Sequence, residues 1–583
     1  MPPELRKATR QPMTNRLLKH LRPITLVGLM IILAACRTPT ATPTSTPVST
    51  STAQPKASPT ATLKPTATPA PIKVYVQPAI PEAARTRIEA IILARPAEFA
   101  ASNDPSTANM QVALTAHTDV PTIGKWVYAL VAPFPTLADD VPWSAVQAAW
   151  QGQAAQCDAC NFITSPLRMS DSTLQAMKLL LGDPAQGVVE VVAPEKLIET
   201  LWDAQPAWGI VPFDQLNIRL KTLSIDGLTP LHRNLDLGAY PLAIDLGLAG
   251  PINSGQTLQT ALGDNLTNRD EAKMSLVAMT GVTAMSRDFA ASMDVNGVLY
   301  PLKKIKDWFT TSDIVHISNE VSFWEDCPKQ PTENRGVFCS DPKYFDLLKE
   351  SNMKIVELTG NHLNDYGWEP LSYTLGIYEN AGIPYFGGGR TITDATKLVT
   401  LEDHGNKIGF VGCNPVGPTI DYVDGLNDGR PGSAPCQSPF PVMQAEISQA
   451  VASGTVVIAT LQYNEQPLGE YSYETAKVQQ DDFGLLADAG ASVVSGSQGH
   501  SVQGFGLRGN SFIHYGVGNL YFDQMQALNL RQNFIDRYLI YDGRLLNAEL
   551  VATLRAEAAQ PRLMTPPEKR ELLKTLFALS IWK

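Results

Sequence analysis

V-E-L-T-G-N-H-L-N-D-Y-G, residues Val356 to Gly367, decides how the larger part of this chain is read. An apolar strand pattern runs into a glycine, and Asn361, His362 and Asp365 then crowd into five positions at the expected carboxyl end of the strand. Imidazole, amide oxygen and carboxylate bind divalent cations, and open α/β sheets place ligand sites at that edge. Two readings compete here. In one the three side chains form part of a site; in the other Asn361 caps a helix and His362 is a buried polar side chain.

Outward from that stretch, strands are expected at Met274 to Met279, Ile314 to Ile317, Ile355 to Leu358, Ile408 to Val411, Val456 to Leu461, Ser492 to Ser495 and Ser511 to Tyr515. Helical patterns lie between several of them, at Lys343 to Ser351, Glu369 to Ala381 and Thr475 to Ala489. Strands alternating with helices predict an α/β domain with a largely parallel sheet covered on both faces.

The loops after these strands share an order of motifs. D-I-V-H-I-S-N-E at Asp313 to Glu320 resembles the D-L-x-x-x-N-L-E of the CapA family of poly-γ-glutamate capsule-synthesis proteins, with Glu320 on the acidic position. T-G-N-H-L-N-D-Y-G resembles its N-N-H-x-x-D-x-G, and F-G-G-G-R-T-I-T-D-A at Phe386 to Ala395 its G-A-G turn. G-S-Q-G-H-S-V-Q at Gly496 to Gln503 resembles G-H-H-P-H-V-x-Q and keeps His500, and Y-G-V-G-N-L-Y-F-D-Q at Tyr515 to Gln524 resembles Y-S-L-G-N-F-x-F-D. The resemblance implies a metallophosphatase-like layered sheet-and-helix domain. Its implied ligands for one divalent metal, Mn or Zn, are Glu320, Asn361, His362 and His500, with Asp365 orienting His362 and His500 acting as ligand or proton donor.

Departures from the family pattern matter as much. Val282 stands where the first motif has a carboxylate, Gln462 replaces a histidine, and Ser497 and Gln498 replace two more. Metal affinity falls about 10- to 100-fold even for lost outer-shell partners, so a two-metal clamp is not expected. Either one metal survives or the site is degenerate and holds none. Of the five histidines in this region, His316 and His514 fall inside strands and are expected to be buried, hydrogen-bonded imidazoles. Asp288 and Asp294 lie near the vacant first-motif position, and Glu465 sits one residue early for the family's H-W-G-x-E acid.

The amino terminus bounds the compartment. Six basic residues precede an uncharged run from Ile24 to Ala35 that leads into Cys36, a signal-peptide pattern too short to read first as a spanning helix. The L-A-A-C ending resembles a bacterial lipobox, which implies acylation of Cys36 and an extracytoplasmic, membrane-attached chain; the alternative is an uncleaved anchor. Thr, Pro, Ser and Ala dominate from Arg37 to Pro71, a composition that forms an extended tether. Six cysteines remain and fall as three local pairs, Cys157 with Cys160, Cys327 with Cys339 and Cys413 with Cys436, the simplest disulfide pairing in an oxidising compartment. C-D-A-C could alternatively be a redox motif or half a zinc site.

Loss of residues 1–35 removes six basic and one acidic side chain and moves the formal charge from −11 to −16. Nucleic acid is not an expected partner of so acidic a protein; an envelope or capsule polymer, and the membrane through the lipid, are. The expected organisation is a signal peptide at 1–35, a lipidated tether at 36–72, an α/β domain at 73–260, the CapA-like domain at 270–552 and a helical tail at 553–583. In the first of the two domains, W-V-Y-A-L-V-A-P-F-P-T at Trp126 to Thr136 reads as a strand and Val141 to Gly152 as a helix. A-W-G-I-V-P-F-D-Q-L at Ala207 to Leu216 and L-G-A-Y-P-L-A-I-D-L at Leu237 to Leu246 follow, an order resembling a lobe of a type 2 periplasmic solute-binding protein. No G-x-S-x-G, P-loop or H-E-x-x-H occurs in a supporting context. The chemistry left open is metal-assisted attack on a phosphoester or amide of an envelope polymer, or a silent polymer-binding scaffold.

Overall fold

A computed structural model describes residues 70–116, 120–263, 265–329, 336–424, 429–463 and 471–582. The signal, tether and Cys36 readings fall on residues outside these, as does Glu465. From Pro69 onward the chain forms one compact unit. Among the described residues no helix is long and apolar enough to cross a membrane.

The first part of this unit is built on one long strand, Thr122–Pro133. Residues 126–134 of that segment are all buried, as a nearly unbroken apolar run requires when both faces of a sheet are covered. Its first half pairs antiparallel with Ala243–Ala249 and its second half with Trp208–Pro212 and Leu220–Ile225, so one strand ties two halves of a ten-stranded sheet together. The Val141 to Gly152 pattern forms the helix Trp143–Trp150.

Two sheets make up the second part. One runs Tyr385–Phe386, Met353–Glu357, Ile314–Asn319 and Met274–Thr280 in parallel, then Gln532–Tyr541, Arg544–Glu557 and Gln560–Leu563 antiparallel. The other orders Val399–Asp403, Asn406–Cys413, Val456–Leu461, Val493–Ser495, Ser511–His514 and Phe505–Arg508, parallel at its centre and antiparallel at both edges. Strand alternation shows how they stack. Val277 and Met279 share a core with Ile408, Phe410 and Ile458 of the other sheet, whereas Ala278 packs with Phe289, Leu347 and Leu375 of outer helices, and Val457 and Ala459 with Met443 and Phe483 of others. The largely parallel single sheet is thus corrected to two mixed sheets face to face, each with helices on its outer side.

The antiparallel addition has a local cause. Asp542 and Gly543 both adopt positive φ, 51° and 74°, between the paired residues Tyr541 and Arg544, which is what a two-residue hairpin loop demands and Asp-Gly supplies. This hairpin continues the sheet to Glu557, and Gln560–Leu563 follows, so the helix expected throughout 553–583 is confined to Pro566–Leu579. The three cysteine pairs are joined as disulfides, Cys157–Cys160, Cys327–Cys339 and Cys413–Cys436.

Aromatic packing welds the two parts. Phe134 lies 4.9 Å from Phe512 and about 6 Å from Phe505, Phe577 and Trp582, ring centroid to centroid. Emptying this position in Phe134→Ala is expected to destabilise by about 3–5 kcal/mol. Urea unfolding followed by tryptophan fluorescence and by circular dichroism should show both transitions moving down together.

Candidate functional site

The carboxyl ends of the parallel strands in both sheets converge at one edge, and the loops leaving them carry the polar residues. Glu320 follows the strand Ile314–Asn319 directly and its backbone N–H donates to the Thr283 carbonyl at 2.9 Å. Its side chain is fully buried, and neither carboxylate oxygen has a hydrogen-bond partner among the described residues. Gly360 presses so close that a Cβ there would stand 2.8 Å from the Glu320 Cα, which explains the glycine before Asn361.

His362 lies beside Val321, the residue after Glu320, in an isolated parallel bridge. Its Nδ1 and the Asp365 Oδ2 are 2.8 Å apart, and the same oxygen accepts from the Phe338 N–H at 2.6 Å. A carboxylate can only accept, so Nδ1 is the donor and Nε2 of the neutral ring carries the lone pair. Burial pulls the His362 imidazole down, but the Asp365 hydrogen bond and the negative charges of Glu320, Asp365 and Asp421 outweigh it and hold its pKa above the ordinary value. His500 is arranged alike. The Asn519 Oδ1 accepts from its Nδ1 at 2.8 Å, the Asn519 amide being fixed by donation to Gln524 Oε1 and the Leu530 carbonyl, and its Nε2 faces Glu320 Oε1 at 3.6 Å.

Both imidazoles are backed by rings. Phe338 meets His362 edge to face at 4.6 Å, and Phe522 stacks on His500 at 5.4 Å. The Arg287 guanidinium sits 4.7 Å from the first ring and 4.9 Å from the second while it is paired with Asp523. One cation thereby holds both backing rings, at a residue whose own φ is 47°.

Glu320, His362, Asp365 and His500 are therefore brought together, and the Asn361 Oδ1, just before His362, accepts from Gln462 Nε2 at 3.2 Å with its second lone pair left over. The vacated family positions are filled by protein contacts. Val282 is fully buried in a small apolar cluster with Ala284, Val321, Phe338 and Phe522. Ser497 donates to Glu357, and Gln498 donates to Ser318 Oγ at 2.7 Å. His316 and His514 are buried imidazoles paired with Glu357 at 3.0 Å and Asp536 at 2.5 Å. Asp294 pairs with Lys343 and accepts from Tyr344.

Asp421 was not singled out by the sequence. It is fully buried, accepts from the Asn364 N–H at 2.8 Å through Oδ1, and leaves Oδ2 without a partner among the described residues. Burial and the nearby Asp365 and Glu320 charges push its carboxyl up to about 6, against the pull of the Asn364 N–H and His362.

Among the described residues, the one group offering three His, Cys, Asp or Glu ligand atoms all within 4.8 Å of one another is elsewhere, at Asp313, Asp403 and His404. Arg233 occupies it, with its guanidinium 2.9 Å from Asp313 Oδ2 and 2.7 Å from His404 Nε2. A cation is already in place there, so this group does not suit a metal ion. The Glu320 centre holds no such cation and offers metal-ligand chemistry: a buried carboxylate whose oxygens have no hydrogen-bond partner among the described residues, Oε1 lying 3.6 Å from the His500 Nε2, and a second imidazole oriented by Asp365.

Layered sheets and helices with a His and carboxylate cluster at their convergent strand ends make this an α/β domain of the layered kind that the sequence resemblance implies. Residues 262–524 match the family model described as bacterial capsule synthesis protein PGA_cap. The capsule biosynthesis protein CapA of Bacillus anthracis is 23% identical over 265 residues, covering 44% of this chain and 62% of that protein. The PGA biosynthesis protein CapA of Bacillus subtilis (strain 168) is 24% identical over 180 residues, covering 30% and 45%. The chain thus spans less than two thirds of the length of these relatives. Among solved structures, an ABC-type phosphate transport receptor from Vibrio cholerae gives a TM-score of 0.29 at 12% identity, over 33% of this chain and 93% of that one. OxyR of Corynebacterium glutamicum gives 0.22 at 12%, over 33% and 63%.

Ionisation of Asp421 opposes folding, because burial holds its folded pKa above the ordinary aspartate value. The stability linked to its protonated form is complete below about pH 4 and lost as pH rises through about 6. Asp421→Asn should therefore stabilise the metal-free protein at pH 7 by on the order of 2 kcal/mol and leave it unchanged at pH 4. Denaturation midpoints of both proteins at the two pH values, in the presence of a chelator, check the sign.

Proposed function

We propose that this chain is an envelope-attached protein of capsule polymer synthesis, with poly-γ-glutamate the first polymer to test, in which Glu320, His362 and His500 hold one divalent metal ion. The buried Glu320 carboxylate, without a hydrogen-bond partner among the described residues, is the observation that carries the metal assignment, because such a group is costly unless a cation completes it. Two imidazoles and one carboxylate suit Zn or Mn. Bound there, the ion would act as a Lewis acid toward a phosphoester or amide of the polymer.

The chain's own residues do the rest. Asp365 and Asn519 each fix one imidazole through Nδ1, and the Arg287 clamp holds the rings behind them. His500 is the ligand or, where it is not coordinated, the proton donor; the raised pKa of His362 means that a proton competes with the ion for its Nε2. The rival reading is a silent scaffold that keeps the fold and binds polymer. It is favoured by the apolar cluster around Val282, which leaves no carboxylate at the position where the family pattern has one.

Elemental analysis of the purified chain distinguishes the two. About one equivalent of Zn or Mn in the wild type, lost in a His362→Ala, His500→Ala double variant, is the expected result. Metal-free wild type after incubation with either ion would eliminate the hydrolase and transferase chemistry and leave the scaffold. Attachment is assigned to an acylated Cys36, which residues 37–71 would then space from the membrane. Cys36→Ala should move the chain from the membrane fraction to the soluble extracytoplasmic fraction.

A further inference from the structure

A cavity of about 300 Å³ lies where the first part of the unit meets the strand Arg544–Glu557 and the helix Pro566–Leu579, and shares no residue with the Glu320 centre. Much of its wall is apolar: Phe134, Leu231, Leu550, Met564 and Phe577 line it. One end is cationic. Lys221 and Lys569 both reach Asp139, with Nζ to oxygen distances of 2.7 and 2.8 Å, so two ammonium groups share one carboxylate. Both lysine side chains are largely buried, at 13% and 18% exposure, whereas Asp139 at 47% stands at the rim.

The opposite wall is balanced. Glu549 pairs with Arg537 at 2.7 Å and with His232 at 3.1 Å. Counted over these groups, one formal positive charge is in excess, and Lys569 lies close enough to Glu549 to favour its ionised form as well. Burial pulls the Lys221 ammonium down, Asp139 pulls it up, and the neighbouring Lys569 lowers it again, so the pair is under-compensated. The Thr222 hydroxyl, which borders the same cavity, is buried without a hydrogen-bond partner among the described residues.

We propose that this cavity binds a small amphipathic carboxylic acid, its carboxylate completing Lys221, Lys569 and Thr222 and its hydrocarbon body lying against Leu550, Met564 and Phe577. A carboxylate supplies the missing negative charge and an acceptor for the orphaned hydroxyl, and the apolar wall takes the rest of the molecule. Because the walls come from both parts of the unit, the bound acid would also strengthen their junction.

Hexanoate and 1-hexanol, which share a body and differ in charge, are the probes. Isothermal titration of the purified full chain should give saturable hexanoate binding at one site, with 1-hexanol at least about tenfold weaker. Lys569→Met should weaken hexanoate at least about tenfold and leave 1-hexanol unchanged. Should that variant fail to fold, the isosteric Thr222→Val carries the test and should weaken hexanoate severalfold. Absence of saturable hexanoate binding by the wild type, or equal affinity in the wild type and the folded variants, overturns the proposal.

Discussion

A buried carboxyl group with no hydrogen-bond partner among the described residues is the constraint around which the CapA-like domain is arranged. Glu320 sits where two face-to-face sheets release their loops, and water does not reach it. Leaving such a group uncompensated is worth several kcal/mol of lost stability, so its neighbourhood is organised to tolerate it. Gly360 provides the clearance beside its backbone, His500 turns Nε2 toward it, and its field helps hold a proton on His362. Asp421 adds a second buried carboxyl to the same corner at a further stability penalty. Sites that keep such groups despite the penalty are where function is sought first.

Behind this polar corner stands an apolar one, and the contrast limits the chemistry. Val282, Val321, Phe338 and Phe522 fill the volume next to both imidazoles, and Arg287 fastens the two rings. A second ion would need oxygen or nitrogen ligands where these side chains offer only carbon. Ser497 and Gln498 turn instead to Glu357 and Ser318. The arrangement fits one ion or none, and it makes in-line displacement between two metals an unsuitable mechanism for this chain.

Much of this was legible in the sequence where the signal is local. The spacing of His362 and Asp365 put imidazole and carboxylate in contact, and the order of the loop motifs brought Glu320 and His500 to the same edge. Asp421 left no such signal: it lies in a loop far from His362 in sequence, and only the packing of Asn364 against that loop draws it in. Asn519 was within a quoted motif and Arg287 five residues past Val282, but neither had a role until Oδ1 met His500 and the guanidinium met two rings. The double sheet was missed because each sheet alone repeats strand and helix; which face of Val277 or Ile458 meets another sheet rather than a helix is not encoded by period alone. Asp542-Gly543 was readable as a hairpin and would have carried the sheet past residue 552.

The two parts of the unit are interlocked rather than strung together. Phe134, from the first part, is surrounded by rings of the second, Tyr541 of the second packs edge-on to Phe213 of the first at 5.2 Å, and Arg233 reaches across to Asp313. A solute-binding module that opens and closes on its own would need a thin, polar junction, as loosely coupled domains have. Here the junction is aromatic, and a void within it is lined from both sides. Movement of the first part would therefore strain the strand Arg544–Glu557, whose partner Gln532–Tyr541 pairs directly with Met274–Thr280, the strand that runs into the first loop of the Glu320 centre.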